Sequence, residues 1–177
     1  MKISIKDSER VIIINQYEIL EKIDAGNKDF YKKAIKILQN GYEKYYCRAI
    51  PSLSKVNNND IELAEDILFI YNIVENYKFD NPQEAKIIDD LDYSYFLGFD
   101  GNYEQQYVEI CLFLINDLNM YENKKDYFNQ TITGHMKMAH LYKEMIRRWK
   151  KDLDKQNSLN LNEIKYILLD KGVRLCV

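Results

Sequence analysis

Only two prolines and six glycines interrupt the 177 residues of this chain. A sandwich or barrel of short strands needs more breakers than that, so helices are favoured from the outset. With 46% hydrophobic and 30% charged residues the composition is that of a globular protein, and the length suits one domain. The longest unbroken apolar run, Ile110-Cys-Leu-Phe-Leu-Ile115, is far short of the ~20 residues that span a bilayer. The start, Met1-Lys-Ile-Ser-Ile-Lys-Asp7, has no apolar signal region, so export is not expected. Cys47, Cys111 and Cys176 are odd in number and form no CxxC pair, which suits reduced thiols in a cytoplasm. A net charge of −3 gives no global pull toward nucleic acid.

Apolar spacing divides the chain into helices. The first is expected to open at Ser8, with Ile13, Tyr17, Leu20 and Ile23 inward, and to stop at Gly26 and Asn27. The second covers 27–40, with Phe30, Ala34, Ile37 and Leu38 inward and Gly41 placed for a left-handed stop. A Tyr-rich segment, Tyr42-Glu-Lys-Tyr-Tyr46, follows, and Pro51 bars helix soon after. Asn59 with Glu62, or Asp60, opens a helix carrying Ile61, Ala64, Leu68, Tyr71 and Val74 or Glu75 to about Tyr77. A short helix is expected over 83–91. Asn102 can cap the next helix, which carries Tyr107, Val108, Cys111, Leu112, Leu114, Ile115 and Leu118. It is apolar over more than half its circumference, so it is expected at the centre of the fold.

Residues 119–133 read as a polar loop. Residues 134–155 read as the longest helix, about 33 Å at 1.5 Å per residue, with Met138, Tyr142, Met145, Trp149 and Leu153 inward. Asn160 with Glu163 resembles a capping box and opens a last short helix through Leu169 that Gly172 ends. Only Lys2-Ile-Ser-Ile-Lys6 alternates like a strand, and one short strand makes no sheet. The expectation is an all-α protein: a single compact domain over 1–177, of six or seven helices in orthogonal or bundle-like packing.

Few residues carry recognisable chemistry. His135 and His140 are five apart and point in different directions on a helix, unlike an i, i+4 zinc pair. Asp89, Asp90, Asp92 and Asp100 cluster in sequence without a calcium-loop pattern, so neither metal nor cofactor is expected. No signature places a base beside a serine or cysteine nucleophile. Lys143, Arg147, Lys150 and Lys151 line the outer face of the long helix, but Glu144, Asp152 and Asp154 interrupt them, as on a solvated face. The glycine-containing stretch Gly98, Phe99, Asp100, Gly101 and Asn102 follows no strand and matches no phosphate loop. It reads as a structured turn: glycines for unusual backbone angles, Asp100 accepting N–H bonds, Phe99 plugging the core.

Read in order, several motifs form a pattern. They are Asn15-Gln-Tyr17 with Ile19-Leu20-Glu21, Gly41-Tyr42-Glu43, Phe96-Leu-Gly-Phe-Asp-Gly-Asn102, Tyr142-x-x-Met145-Ile146-x-x-Trp149, and Leu159-Asn-x-x-Glu163-Ile164-x-x-Ile167-Leu168. Together they span about 8–169 and resemble the YfbU family of small bacterial proteins. The resemblance implies one all-helical domain whose activity is not established. In some members a similar domain is joined to a DNA-binding module, which implies a ligand- or effector-binding role. No such module is expected within this chain, so a link to DNA would need a partner. Where the family tends to show Asn-Ser-His-x-Pro-Met, this chain has Thr133-Gly-His-Met-Lys-Met138, keeping His135 and Met138.

The functional expectation is a cytoplasmic, non-enzymatic regulatory domain that binds a small molecule or a protein partner, with no direct contact to nucleic acid or membrane. Its pocket is expected where Asn15, Gln16 and Tyr17 meet residues 98–102 and His135, because two adjacent amides need partners if buried. Two alternatives are a small-substrate hydrolase with His135 as base and Asp100 as its orienter, and a homo-oligomeric scaffold anchored by exposed tyrosines.

Overall fold

The structure, a computed structural model, describes residues 4–51, 53 and 55–168. The expected stop at Gly172, Leu169, Cys176 and the first residues of the Lys2-Ile-Ser-Ile-Lys6 stretch lie outside them. The described residues form nine α-helices, not six or seven. They fall into two compact units, Met1–Lys55 and Val56–Val177. Among the described residues no helix is long and apolar enough to cross a membrane.

The first unit holds α1 (Asp7–Ile23), α2 (Lys28–Gln39) and α3 (Tyr46–Ala49). Helix α1 starts one residue before Ser8, where the Lys6 N–H donates to the Glu9 carboxylate at 2.8 Å. On α2 the buried face is Tyr31, Ala34, Ile35 and Leu38, spaced i, i+3, i+4, i+7, whereas Phe30 is 43% exposed. Gly41 adopts the expected left-handed conformation, with φ +64°. The Leu38 carbonyl, near the end of α2, accepts from Nε and Nη2 of Arg10 at 3.0 and 2.8 Å besides the Gly41 N–H, which ties α1 to the end of α2. Tyr17 donates its hydroxyl to the Ala49 carbonyl at 2.6 Å and so ties α1 to α3. Helix α3, one turn before Pro51, is the first of the two helices the spacing did not predict.

The second unit is built on α4 (Asn58–Asp80), the longest helix, capped by the Asn57 side chain, which accepts from the Asn59 N–H. Around it stand α5 (Pro82–Asp89), α6 (Gln105–Leu112), α7 (Lys125–Thr131), α8 (Ala139–Asp152) and α9 (Leu161–Leu168). Helix α4 takes the central place expected for the helix near Leu112, although Tyr107, Val108, Cys111, Leu114 and Ile115 are buried as expected. Leu63, Ala64, Ile67, Leu68, Ile70, Tyr71, Ile73 and Val74 of α4 are all buried, while Leu112, Phe113 and Leu118 are 40–54% exposed. Helix α6 ends in a π-helical turn, Phe113–Asp117, which swings these apolar groups outward. The stretch read as a polar loop contains α7, whose Phe128, with Ile132 one turn on, is buried beneath a surface of Asn, Asp and Lys.

Helix α8 begins at Ala139, not Gly134, and its 14 residues span about 21 Å instead of 33. The residues before it pair instead of coiling: β2 (Thr133–Gly134) lies parallel to β1 (Phe99–Asp100), with Asp100 opposite Gly134.

Candidate functional site

The turn at residues 98–102 is fixed by contacts that leave little freedom. Gly98 has φ +68°, and a Cβ there would lie 2.0 Å from the Thr131 carbonyl oxygen, so only glycine allows this approach. Across the bridge a Cβ on Gly134 would lie 2.5 Å from the Leu97 oxygen. The Phe99 N–H donates to the Ile132 carbonyl at 2.9 Å. One Asp100 carboxylate oxygen accepts from the N–H groups of Asn102 and Tyr103, at 2.8 and 3.2 Å. Of the two glycines read as special in backbone angle, Gly101 has no positive φ.

Glu104 closes this turn onto the next helix. It is 7% exposed and accepts three backbone N–H groups: Asp100 at 3.1 Å, Met138 at 2.9 Å and Ala139 at 2.9 Å. Its carboxylate therefore caps α8 from a distant part of the chain and fixes where that helix starts.

An aromatic cluster supports the turn from below. Phe99 stacks on Tyr107 at 4.9 Å and meets Tyr142 edge-on at 5.2 Å, while Phe96 packs on Tyr71, Phe128 and Tyr142. Phenol oxygens also hold the preceding backbone. Tyr127 and Tyr142 accept from the N–H groups of Phe96 and Leu97 at 3.0 and 3.1 Å, and Tyr71 donates to the Tyr93 carbonyl at 2.9 Å. Burial pushes all three phenols above their ordinary value, so they stay protonated.

Within the second unit the structure thus brings Gly98, Phe99, Asp100, Gly101 and Asn102 beside the segment that carries His135. His135 itself is exposed and makes no hydrogen bond to Asp100. Asn15, Gln16 and Tyr17 fall in the first unit. There Asn15 and Gln16 are exposed, so neither amide needs an internal partner, and Tyr17 is committed to Ala49. Cys111 is fully buried and burial pushes its thiol up to about 12, which suits a small core residue and not a nucleophile. Among the described residues no three His, Cys, Asp or Glu side chains are grouped to hold a metal ion.

Two concavities lie elsewhere on the second unit, and neither is lined by residues 98–102 or His135. One, of about 340 Å3, runs along Val56, Ile61, Ile110, Phe113, Leu114 and Leu118, with polar groups only from Glu65, Gln106 and Glu109. The other, of about 740 Å3, lies between the last turns of α4 (Glu75, Asn76, Lys78, Phe79) and residues 122–127. Lys78, 9% exposed, is saturated there: its ammonium donates to Glu75, Asp89 and the Ser94 carbonyl, and lies over the Tyr95 ring. Lys124 differs. Its ammonium donates to the amide oxygens of Asn72, at 2.8 Å, and Asn76, one turn apart on α4. Desolvation lowers its pKa, against the pull of Glu75 and Asp80.

A model of the YfbU domain matches residues 1–169. The chain belongs to the YfbU family. UPF0304 protein MJECS11 of Methanocaldococcus jannaschii is 37% identical over 168 residues, covering 90% of this chain and 96% of that protein.

The YfbU motifs read from the sequence now have structural roles. Phe96-Leu-Gly-Phe-Asp-Gly-Asn102 is the turn and its aromatic plug. Tyr142, Met145, Ile146 and Trp149 are the buried face of α8, and the Trp149 indole N–H donates to the Gln156 carbonyl at 2.9 Å. The Asn160–Glu163 capping box forms as expected, with both reciprocal bonds present. The basic outer face of α8 is cross-linked, Arg147 to Glu144 and Asp152, and Lys150 to Asp66. Three residues escaped sequence reasoning: Glu104, Lys124 and Arg148, the last buried and donating to the Tyr166 and Ile167 carbonyls. Glu104 had a readable signal, an acidic residue just before an apolar helix. The others sit in Lys- and Arg-rich surroundings that gave no contrast.

Proposed function

We propose that this YfbU chain is a non-enzymatic regulatory domain that binds a small ligand, and that the ligand sits in the cleft between α4 and residues 122–127. The observation that carries this reading is the cleft itself. At about 740 Å3 it has the size of a small-molecule site, and it combines an apolar wall at Phe79 with the fixed polar groups of Asn76, Lys78 and Lys124. The smaller groove has few groups that could orient a ligand. Asp100 and Glu104 are engaged by backbone N–H groups of the turn and of the start of α8, so that region reads as a scaffold. A hydrolytic reading through His135 draws no support from the geometry, since His135 is exposed and makes no hydrogen bond to Asp100, one oxygen of which accepts from Asn102 and Tyr103.

The test is a metabolite-library thermal shift on the whole chain and on Asn76→Trp, which fills the cleft. A ligand at 100 times its Kd adds about 2.7 kcal/mol, several degrees in Tm for a chain of this size. The expected result is a stabilising compound whose effect disappears in N76W. A library that stabilises neither chain, or both equally, refutes the assignment.

A further inference from the structure

Three lysines and three carboxylates line the cleft, and two of the lysines are held differently from the other cations of the second unit. Among the described residues, the ion pairs of the second unit take in Lys78, Arg147, Arg148 and Lys150, each with a carboxylate. Lys124 and Lys125, side by side on the cleft wall, take amide oxygens instead: Asn72 and Asn76 for Lys124, Asn119 for Lys125 at 3.3 Å. A neutral amide orients an ammonium without cancelling its charge. The Lys124 ammonium makes two of the three hydrogen bonds it can donate. Of the carboxylates around Lys124, Glu75 bonds Lys78 through one oxygen, Glu75 and Asp80 act on Lys124 through space without a hydrogen bond, and Glu122 and Asp126 are exposed to water.

The backbone reaching this point is irregular. After the π-helical turn, Asn119 and Tyr121 both adopt positive φ, +53° and +58°, and a 3-10 turn, Glu122–Lys124, delivers the lysine onto α4. A left-handed tyrosine is uncommon, and such strain persists only where packing over-determines it. Here Tyr121 is held against Phe128 at 5.6 Å. Phe79, lining the same cleft, is 85% exposed and offers an apolar face.

We propose that the cleft takes a small organic anion, a carboxylate or phosphate ester carrying an apolar ring, with the Lys124 ammonium as charge partner, Lys125 beside it and Phe79 against the ring. This rests on the cleft reading given above and names the class of ligand. Lysine suits either anion, as a point charge with rotatable donors.

The probes are benzoate, phenyl phosphate and the neutral isostere benzamide. Each is titrated into the full chain while the amide resonances of residues 75–79 and 122–127 are followed by NMR. Saturable shifts are expected with one or both anions, and binding of benzamide weaker by roughly tenfold or more. Lys124→Gln is expected to weaken the anions by a similar factor and to leave benzamide unchanged. Comparing the two anions decides between carboxylate and phosphate. Equal binding of benzamide and benzoate by the unaltered chain overturns the anion proposal whether or not K124Q folds, as does anion binding unchanged in a folded K124Q; both outcomes leave the cleft reading standing. If no probe moves these resonances at millimolar concentration, the anion proposal falls. If N76W also leaves the library result unchanged, the cleft reading falls with it.

Discussion

Truncating Glu104 to alanine removes the acceptor of three backbone N–H groups, those of Asp100, Met138 and Ala139, from a position 7% exposed. Each buried donor left unpaired costs about 1–3 kcal/mol, which bounds the loss at about 3–9 kcal/mol. Water entering the space left by the side chain satisfies some of these donors, so about 3–5 kcal/mol is expected. The charge at the start of α8 adds a few tenths to this. Glu104→Gln keeps one carbonyl oxygen but turns an NH2 group toward a backbone donor, so it is expected to lose about half as much. Urea denaturation followed by circular dichroism measures both. At about 2–4 °C per kcal/mol, Tm falls by about 6–20 °C for E104A. Native-state hydrogen exchange locates the loss, with the Met138 and Ala139 amides losing protection first. A loss under about 1 kcal/mol for E104A, or unchanged protection at these two amides, refutes the role assigned to Glu104.

Gly98→Ala is expected to cost more than about 3 kcal/mol, because the residue is left-handed and its Cβ would meet two carbonyls. Gly26→Ala, whose Cβ would meet nothing closer than 3.5 Å, serves as the neutral control in the same melt. Lys78 bonding holds the Asp89 carboxyl below its ordinary value. A carboxylate whose folded pKa is depressed contributes stability above its unfolded value and loses it as pH falls through the folded one. Asp89→Asn is therefore expected to flatten the fall in stability below about pH 5 in a pH series of melts. Cys47 is exposed and Cys111 buried, with its thiol pushed up to about 12. Iodoacetamide at neutral pH should label Cys47 in the native chain and Cys111 only after denaturation, as read by peptide mass mapping.

What the sequence revealed follows from how each signal is encoded. Stripes on one face of a helix are local, so Ala64, Leu68 and Tyr71 are legible, as are the Gly41 stop and the Asn160–Glu163 box. The Asp100 turn was also legible, because an aspartate accepting its own following N–H groups is local chemistry. The start of α8 was not. It depends on Glu104, 34 residues earlier, and on a two-residue bridge that uncoils Thr133 and Gly134. Helix α7 was hidden by composition, since one phenylalanine and one isoleucine anchor it among asparagines and charges. Apolarity around α6 does not translate into burial on every side, because the π-helical turn presents Phe113 and Leu118 to the surface. The cleft had no sequence signal at all, since Asn72, Asn76 and Lys124 meet across about 50 residues of chain.

Two residues of the cleft also hold the backbone that leads into the turn, and this joins the proposed ligand site to the scaffold. Tyr127 lines the cleft while its hydroxyl accepts the Phe96 N–H, and Lys78 lines it while donating to the Ser94 carbonyl. The backbone just before Gly98 is thus held by two side chains that a bound ligand would touch. Tyr127→Phe removes one of these ties with no loss of ring packing against Phe128. It is expected to cost about 1–2 kcal/mol, the penalty of one unpaired buried donor. If the hydroxyl transmits to the turn, protection against hydrogen exchange falls at Phe96 and also at Phe99, whose N–H closes the bridge onto Ile132. A drop confined to Phe96 would mean that the aromatic cluster holds the turn unaided, and that a ligand in the cleft has no route to it through this residue.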